Sequence, residues 1–362
     1  MNPEQLIVPA AVALGVSAVA TPAVARLAVA LGFVDRPSAR AVNQREGVPL
    51  LGGLAVGLGF GAGLAAALPL FTSLVPESRL LGLVVGGALV LAAGAYDDRF
   101  GMSAGPKFVV QFAAAAIAIS CGFRIDHVTE PVTHTYFEFP TWVVWIVSSL
   151  WIVGITNAVN LIDGLDGLAT GVSAIIAATL TAIAAQGGHP LGICVGVALV
   201  GALLGFLPHN FPPARIFLGD TGALTIGYLL ALLALEGYQR VTVLTFVVPL
   251  LALAVPILDT ALSIARRLRR GVNPFSADRL HMHHRMLDHH GNPRGAVVQF
   301  YFLTGCFSLI ALSFTQLSGM AAALFLAAVV VLTVRLLWNL GALSMGDQDA
   351  GRFPPAPRKG GP

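Results

Sequence analysis

Apolar residues in this chain gather in long runs separated by short polar segments. A helix that crosses the hydrocarbon core of a bilayer needs about 20 apolar residues, with a range near 17–25. Eleven runs fit that template, at roughly 6–31, 50–72, 79–96, 107–123, 141–157, 167–186, 190–208, 222–236, 241–265, 296–314 and 319–339. The fifth and eighth are short or met early by polar residues. The pattern predicts an all-α, polytopic integral membrane protein with about eleven transmembrane helices. No internal repeat and no soluble domain boundary interrupts the series, so residues 1–340 read as a single polytopic membrane domain. The Gly- and Pro-rich segment 341–362 reads as a disordered tail. The first run lacks a basic leader and exceeds the 7–15 residues of a signal-peptide core, so it reads as a retained span.

Composition agrees with that picture. Only 11% of the 362 residues are charged and 56% are hydrophobic, with a mean hydropathy of +0.81. Soluble domains carry about 25% charged residues. The three cysteines, Cys121, Cys194 and Cys306, lie far apart in apolar runs and suggest neither a disulfide framework nor a metal spacing.

The net charge of +3 matters less than its placement. With eleven spans, 18 of the 21 Lys and Arg fall on one side, and only Arg79, Arg124 and Arg240 on the other. By the positive-inside rule the N-terminus is outside and the C-terminus cytosolic. Segment 124–140 is then the longest external loop, with Trp142 and Trp145 as interfacial anchors. The localisation this predicts is the cytoplasmic (inner) membrane, multi-pass.

Charge is expensive in such a protein, so its location points to function. Asp97 and Asp98 end the third span beside Arg99 and Lys107; Asp163 and Asp166 lie in the run Asn157 to Leu168; Asp220 lies in Phe217-Leu-Gly-Asp-Thr-Gly222; Asp259 is inside the ninth span. All but Asp259 fall at the predicted cytosolic face. Asp97-Asp98 could be a solvated span end, and Asp220 a helix N-cap. Asp163 and Asp166, three apart, are expected on one helix face, with a mere turn carrying helix caps as the alternative. Several carboxylates on one face, completed by phosphate oxygens and water, are the Mg²⁺ pattern.

The loop after the ninth span supplies the opposite charge. Arg266, Arg267, Arg269 and Arg270 read as ordinary span-end charge. Arg279, His281, His283, His284 and Arg285 form a dense donor group suited to an anion with several oxygens. A zinc site from His-x-His-His is the competing reading there. His289 and His290 read as surface residues. Acids for a metal and bases for phosphates, on a lipid-bathed face, point to phosphoryl transfer on a membrane-borne substrate. A transporter is the rival class, but no paired repeat is visible, and Asp259 is the only acid clearly inside a span.

Five elements in order, Pro49-Leu-Leu-Gly-Gly53, Asp97-Asp98 through Lys107-Phe108, Asn157 to Leu168, Phe217 to Gly222 and Arg279 to Arg285, resemble the polyprenyl-phosphate N-acetylhexosamine-1-phosphate transferases (the MraY/WecA-type superfamily). The resemblance covers about Asp35 to Gly295. The run Pro274 to Arg285 is similar to the branch that uses simple UDP-N-acetylhexosamines. What the resemblance implies is transfer of GlcNAc-1-phosphate from UDP-GlcNAc to undecaprenyl or decaprenyl phosphate, with release of UMP. UDP-MurNAc-pentapeptide or a modified hexosamine is the alternative donor.

The implied cofactor is Mg²⁺, with Mn²⁺ as a substitute, held by Asp220 with Asp98 close by. Asp97 would sit near the acceptor phosphate as a base, a nucleophile or a positioning group. Asn160, Asp163 and Asp166 would hold the nucleotide sugar, with Asn157 opening their motif. Asn210 would hydrogen-bond the uracil, and Phe217 would stack on it. Lys107, His283, His284 and Arg285 would contact phosphates, with Arg279 and His281 beside them. The bilayer and the two substrates are the expected partners, a homodimer is compatible with the resemblance, and no nucleic acid is expected. Asn43 and Ala41 stand where relatives often have His and Lys, and Ala223 where Ser is common. No catalytic role is therefore assigned to the first loop.

Overall fold

The computed structural model describes residues 4–35, 47–71, 74–129, 136–236, 250–269, 292–317 and 319–339. The helices are α1 (Glu4–Leu31), α2 (Gly52–Ala67), α3 (Glu77–Phe100), α4 (Ala104–Ser120), α5 (Thr141–Ile162), α6 (Leu168–Gly187), α7 (Pro190–Asn210), α8 (Gly219–Glu236), α9 (Ala254–Arg269), α10 (Pro293–Phe314) and α11 (Gly319–Asn339). Each falls on one of the apolar runs. Eight of them, among the described residues, are long and apolar enough to cross a membrane; Ala104–Ser120 and Ala254–Ile264 are shorter apolar helices. The chain is thus a multi-pass helical membrane protein.

The helices separate into two units, Met1–Gly319 and Met320–Pro362. In the first, α8 is the hub, packed against α2, α3, α5, α6 and α7. Every residue from Thr221 to Glu236 is buried. A helix that is apolar all round belongs in an interior. Outer helices instead present apolar side chains outward, among them Val19 on α1, Val109 on α4, Leu150 on α5 and Phe302 on α10. A bilayer is the solvent that suits such a surface. The second unit holds α11, a single apolar helix.

Within segment 124–140 the described residues include two short strands. Strands β1 (His127–Thr129) and β2 (Tyr136–Glu138) pair antiparallel, with His127 opposite Glu138. Ser148 on α5 accepts the Ile125 backbone N–H at 2.9 Å and fixes the entry to this hairpin. It lies at the end of the bundle where α4 finishes and α5 begins. The cluster of Asp97, Asp98, Lys107 and Asp220 lies at the other end.

The helix-face expectation for Asp163 and Asp166 fails. Helix α5 stops at Ile162 and α6 starts at Leu168, so both acids lie in the intervening turn. Gly167 closes that turn at φ +73°, a conformation that costs glycine little. The two carboxylates consequently face different neighbours.

Candidate active site

The end of α3, the starts of α4 and α8, and the end of α5 converge at one end of the bundle. Asp220, in the first turn of α8, is the meeting point. Its Oδ2 accepts from Lys107 Nζ at 2.6 Å, and its Oδ1 accepts from Asn160 Nδ2 at 2.6 Å. Lys107 also pairs with Asp97, so one ammonium bridges two carboxylates from different helices. Asp97 Oδ1 further accepts the Met102 backbone N–H at 2.5 Å.

Asp98 takes no part in that bridge. Its Oδ1 accepts the Asp220 N–H at 2.8 Å, and its Oδ2 accepts the Thr221 N–H at 3.0 Å and the Thr221 hydroxyl. Both oxygens are thus turned to the N-terminus of α8.

The run leading into α2, with Leu51 at φ +76°, holds this turn from the far side. Phe217 N–H donates to the Pro49 carbonyl at 2.9 Å, Gly52 N–H to the Phe217 carbonyl at 3.0 Å, and Gly53 N–H to the Leu218 carbonyl at 2.9 Å. Gly53 lies against the Thr221 and Gly222 backbone so closely that a Cβ there would overlap it. The run Pro49 to Gly53 is therefore a cradle for the Asp220 turn, a role that the sequence alone did not reveal. The Phe217 side chain remains partly exposed, as a stacking surface requires.

Asp163 and Asp166 diverge. Asp166 is 7% exposed and accepts the Ala214 N–H at 2.9 Å, tying its turn to the segment before α8. Asn210, 2% exposed, works in the same frame. Its Oδ1 accepts from Gly167 N–H and Thr170 Oγ1, at 3.1 and 2.7 Å, and its amide donates to the Ile216 carbonyl at 3.0 Å. Tyr301 on α10 adds a hydrogen bond to the Gly167 carbonyl at 2.6 Å. Asn210 and Asp166 thereby hold the α5–α6 turn against the segment before α8, and a base could reach the buried Asn210 only by drawing it out of that frame. Asn157 pairs with Gln111 on α4, a buried residue that no motif singled out.

Asp163 stays partly open to solvent, though protein surrounds most of it. Burial first, then the charges of Asp220, Asp98 and Asp166, push its carboxyl well above the usual carboxylate range. An acid raised on folding loses native stability as pH climbs through its folded pKa. Asp163→Asn is therefore expected to raise the melting temperature at neutral pH in EDTA. The gain should vanish below about pH 3, where the acid is protonated in both states. Melting curves at the two pH values check this, and an equal shift at both would contradict it.

Arg279, His281, His283, His284 and Arg285 lie outside the described residues, as do Asn43, Ala41 and the tail. Among the described residues, no three of His, Cys, Asp and Glu form a group able to enclose a metal ion. Mg²⁺ asks for less. One or two carboxylates suffice where substrate phosphates and water complete the shell. Asp97 and Asp220 provide that pair, and among the described residues the Asp98 and Asp163 carboxyls lie near Asp220. The donor set fits a hard divalent cation.

Known proteins resemble this chain over most of its length. The family described as Glycosyl transferase family 4 matches residues 80–238, from the start of α3 to the end of α8. A probable undecaprenyl-phosphate N-acetylglucosaminyl 1-phosphate transferase of Bacillus subtilis is 40% identical over 294 residues, covering 81% of this chain and 80% of its own. The chain belongs to glycosyl transferase family 4. Another family member, the decaprenyl-phosphate N-acetylglucosaminephosphotransferase of Mycolicibacterium smegmatis, is 36% identical, with 77% of this chain and 74% of that one covered. A phospho-N-acetylmuramoyl-pentapeptide-transferase of Rubrobacter xylanophilus is 32% identical, with 74% and 82% covered. The family match contains Asp97, Asp98, Lys107, Asn160, Asp163 and Asp220, the whole of the described cluster.

Proposed function

We propose that the chain transfers N-acetylhexosamine-1-phosphate, GlcNAc-1-phosphate in the first instance, from a UDP-sugar to undecaprenyl or decaprenyl phosphate, releasing UMP. The observation that carries this reading is the bridge of Lys107 between Asp97 and Asp220 at one end of a helical membrane bundle. The higher identities to relatives named for N-acetylglucosamine support GlcNAc over the pentapeptide-bearing donor. Eleven spans, an outside N-terminus and a cytosolic C-terminus remain the topology that the charge bias supports. The site then opens to the cytosol at the inner membrane.

The nucleophile is an oxygen of the lipid phosphate. A phosphate monoester with a second pKa near 6 is largely dianionic at neutral pH, so no strong enzymatic base is needed. Its oxygen forms a bond to the sugar-bearing phosphorus of the donor, and the bond from that phosphorus to the bridging oxygen breaks. UMP leaves with the electron pair. The barrier is the approach of two anions, and positioned positive charge lowers it.

Lys107 can turn from the Asp97–Asp220 pair towards an incoming phosphate, exchanging one anionic partner for another. Asn160 holds Asp220 in place meanwhile. Phe217 offers its exposed face to the uracil. Mg²⁺ held by Asp220 and Asp97 would neutralise phosphate charge. His283, His284 and Arg285 are proposed as further phosphate contacts.

The test is UMP release by the purified protein with Mg²⁺, undecaprenyl phosphate and UDP-GlcNAc, with EDTA and lipid-free controls. Release that needs both lipid phosphate and metal supports the reading. Release only with UDP-MurNAc-pentapeptide would move the donor, and none with any UDP-sugar would defeat it.

A further inference from the structure

Asp97 and Asp98 are adjacent, yet they meet different parts of α8. Consecutive helical residues point about 100° apart. Asp97 is directed to the Lys107–Asp220 side-chain pair. Asp98 is directed to the backbone of Asp220 and Thr221, and to the Thr221 hydroxyl. The first N–H groups of a helix have no partner within it. Here an acid from a neighbouring helix provides that partner, and negative charge suits this end of the helix dipole.

Two glycines show how close the fit is. Gly219 stands at φ +71°, and a Cβ on it would lie 2.5 Å from Asp98 Oδ2. One turn back along α3, a Cβ on Gly94 would lie 2.5 Å from the Asp220 carbonyl oxygen. Farther along the same helix pair, Tyr228 donates to the Gly82 carbonyl at 2.9 Å, and Arg79 pairs with Glu236 at 2.7 Å. Helices α3 and α8 are thus pinned at the site, in the middle and at the opposite end. Of these three hydrogen-bonded pins, the Asp98 contacts are the ones made to the backbone of Asp220 itself and its neighbour Thr221.

We propose that Asp98 is a positioning residue, which caps α8 from α3 and so sets the Asp220 carboxylate against Asp97 and Lys107, rather than a ligand of the metal. Three of the roughly four lone-pair positions of its carboxylate are already taken by α8. The proposal rests on the transfer reading, because its main readout is turnover.

Turnover is compared in Asp98→Ala, Asp98→Asn and Thr221→Val, each assayed well below its melting temperature against Mg²⁺ and UDP-GlcNAc. Loss of the cap in Asp98→Ala should lower kcat about tenfold, with half-saturating Mg²⁺ and KM within about twofold of the parent. Asp98→Asn keeps one carbonyl oxygen for the α8 N–H groups, while its NH2 faces the remaining donor, so it should recover part of that loss. Thr221→Val removes one donor and should lower kcat about threefold, again with unchanged metal dependence.

An Asp98→Asn as slow as Asp98→Ala, with half-saturating Mg²⁺ raised severalfold, would overturn the proposal in favour of a ligand. Should Asp98→Ala fail to fold, an unchanged kcat in Thr221→Val would overturn it equally. If the parent protein releases no UMP from any UDP-sugar, the transfer reading falls by itself. The cap is then judged by melting temperature: Asp98→Asn above Asp98→Ala upholds it, and equal values overturn it.

Discussion

Asp220→Asn is expected to abolish Mg²⁺-dependent UMP release, with a loss of about 10³-fold or more, while leaving the fold intact. The substitution is nearly isosteric. Its carbonyl oxygen can still accept from Asn160 or Lys107, so the packing around the first turn of α8 survives. What disappears is one full negative charge at the place where three helices deliver charged groups. Lys107 would then pair with Asp97 alone, and the site would lose the carboxylate proposed to hold the metal. A melting temperature close to the parent, together with turnover at background, is the expected pair of results. Full activity in a folded Asp220→Asn protein would remove Asp220 from the metal site and with it the proposed mechanism.

The reasons some of this was legible in the sequence are physical. Membrane burial forces a long apolar run for every span, so the helices announce themselves, and each described helix lies on a predicted run. Charge is rationed for the same reason, which is why Asp97, Lys107 and Asp220 stood out before any geometry was known, whereas Asn160 entered only through the resemblance. The roles of neighbours were less legible. Whether a carboxylate at a span end meets a side chain or a backbone depends on its rotation about the helix axis, and periodicity gives no absolute rotation. Asp98 is the example, since its partners belong to α8, about 120 residues later in the chain.

Turn geometry misled in another way. The spacing of Asp163 and Asp166 suits a helix face, but Gly164 and Gly167 flank a chain reversal, and the reversal prevailed. Gln111 and Thr221 carry polar contacts of the site without belonging to any charged cluster. For Gln111 the available signal was a polar residue in an otherwise apolar stretch, and for Thr221 its place in the Phe217 to Gly222 motif. The Pro49 to Gly53 run was visible as a motif yet silent as to mechanism, because its contribution is made by backbone groups and by the absence of side chains.

That last feature leads to the prediction with the largest structural effect. Gly53→Ala is expected to cost about 3 kcal/mol, the upper part of the range for overpacking, and to reduce activity even in the molecules that fold. The added methyl group would meet the Thr221 and Gly222 backbone, not a flexible side-chain end. Relief would require α2 and α8 to separate. The hydrogen bonds from Gly52 and Gly53 to Phe217 and Leu218 oppose that movement on one side, and the Asp98 cap opposes it on the other. Any separation that does occur displaces Asp220 from Lys107, so stability and turnover should fall together. Gly61→Ala on the same helix is the control, since nothing lies within 4 Å of a Cβ there; alanine is also the better helix former, so its melting temperature and turnover should match or exceed the parent's. Thermal melts and UMP release for the two variants, measured side by side in detergent, separate close packing at the site from a general intolerance of α2 to side chains. Equal behaviour of Gly53→Ala and Gly61→Ala would show that the contact between α2 and α8 does not hold the Asp220 turn in place.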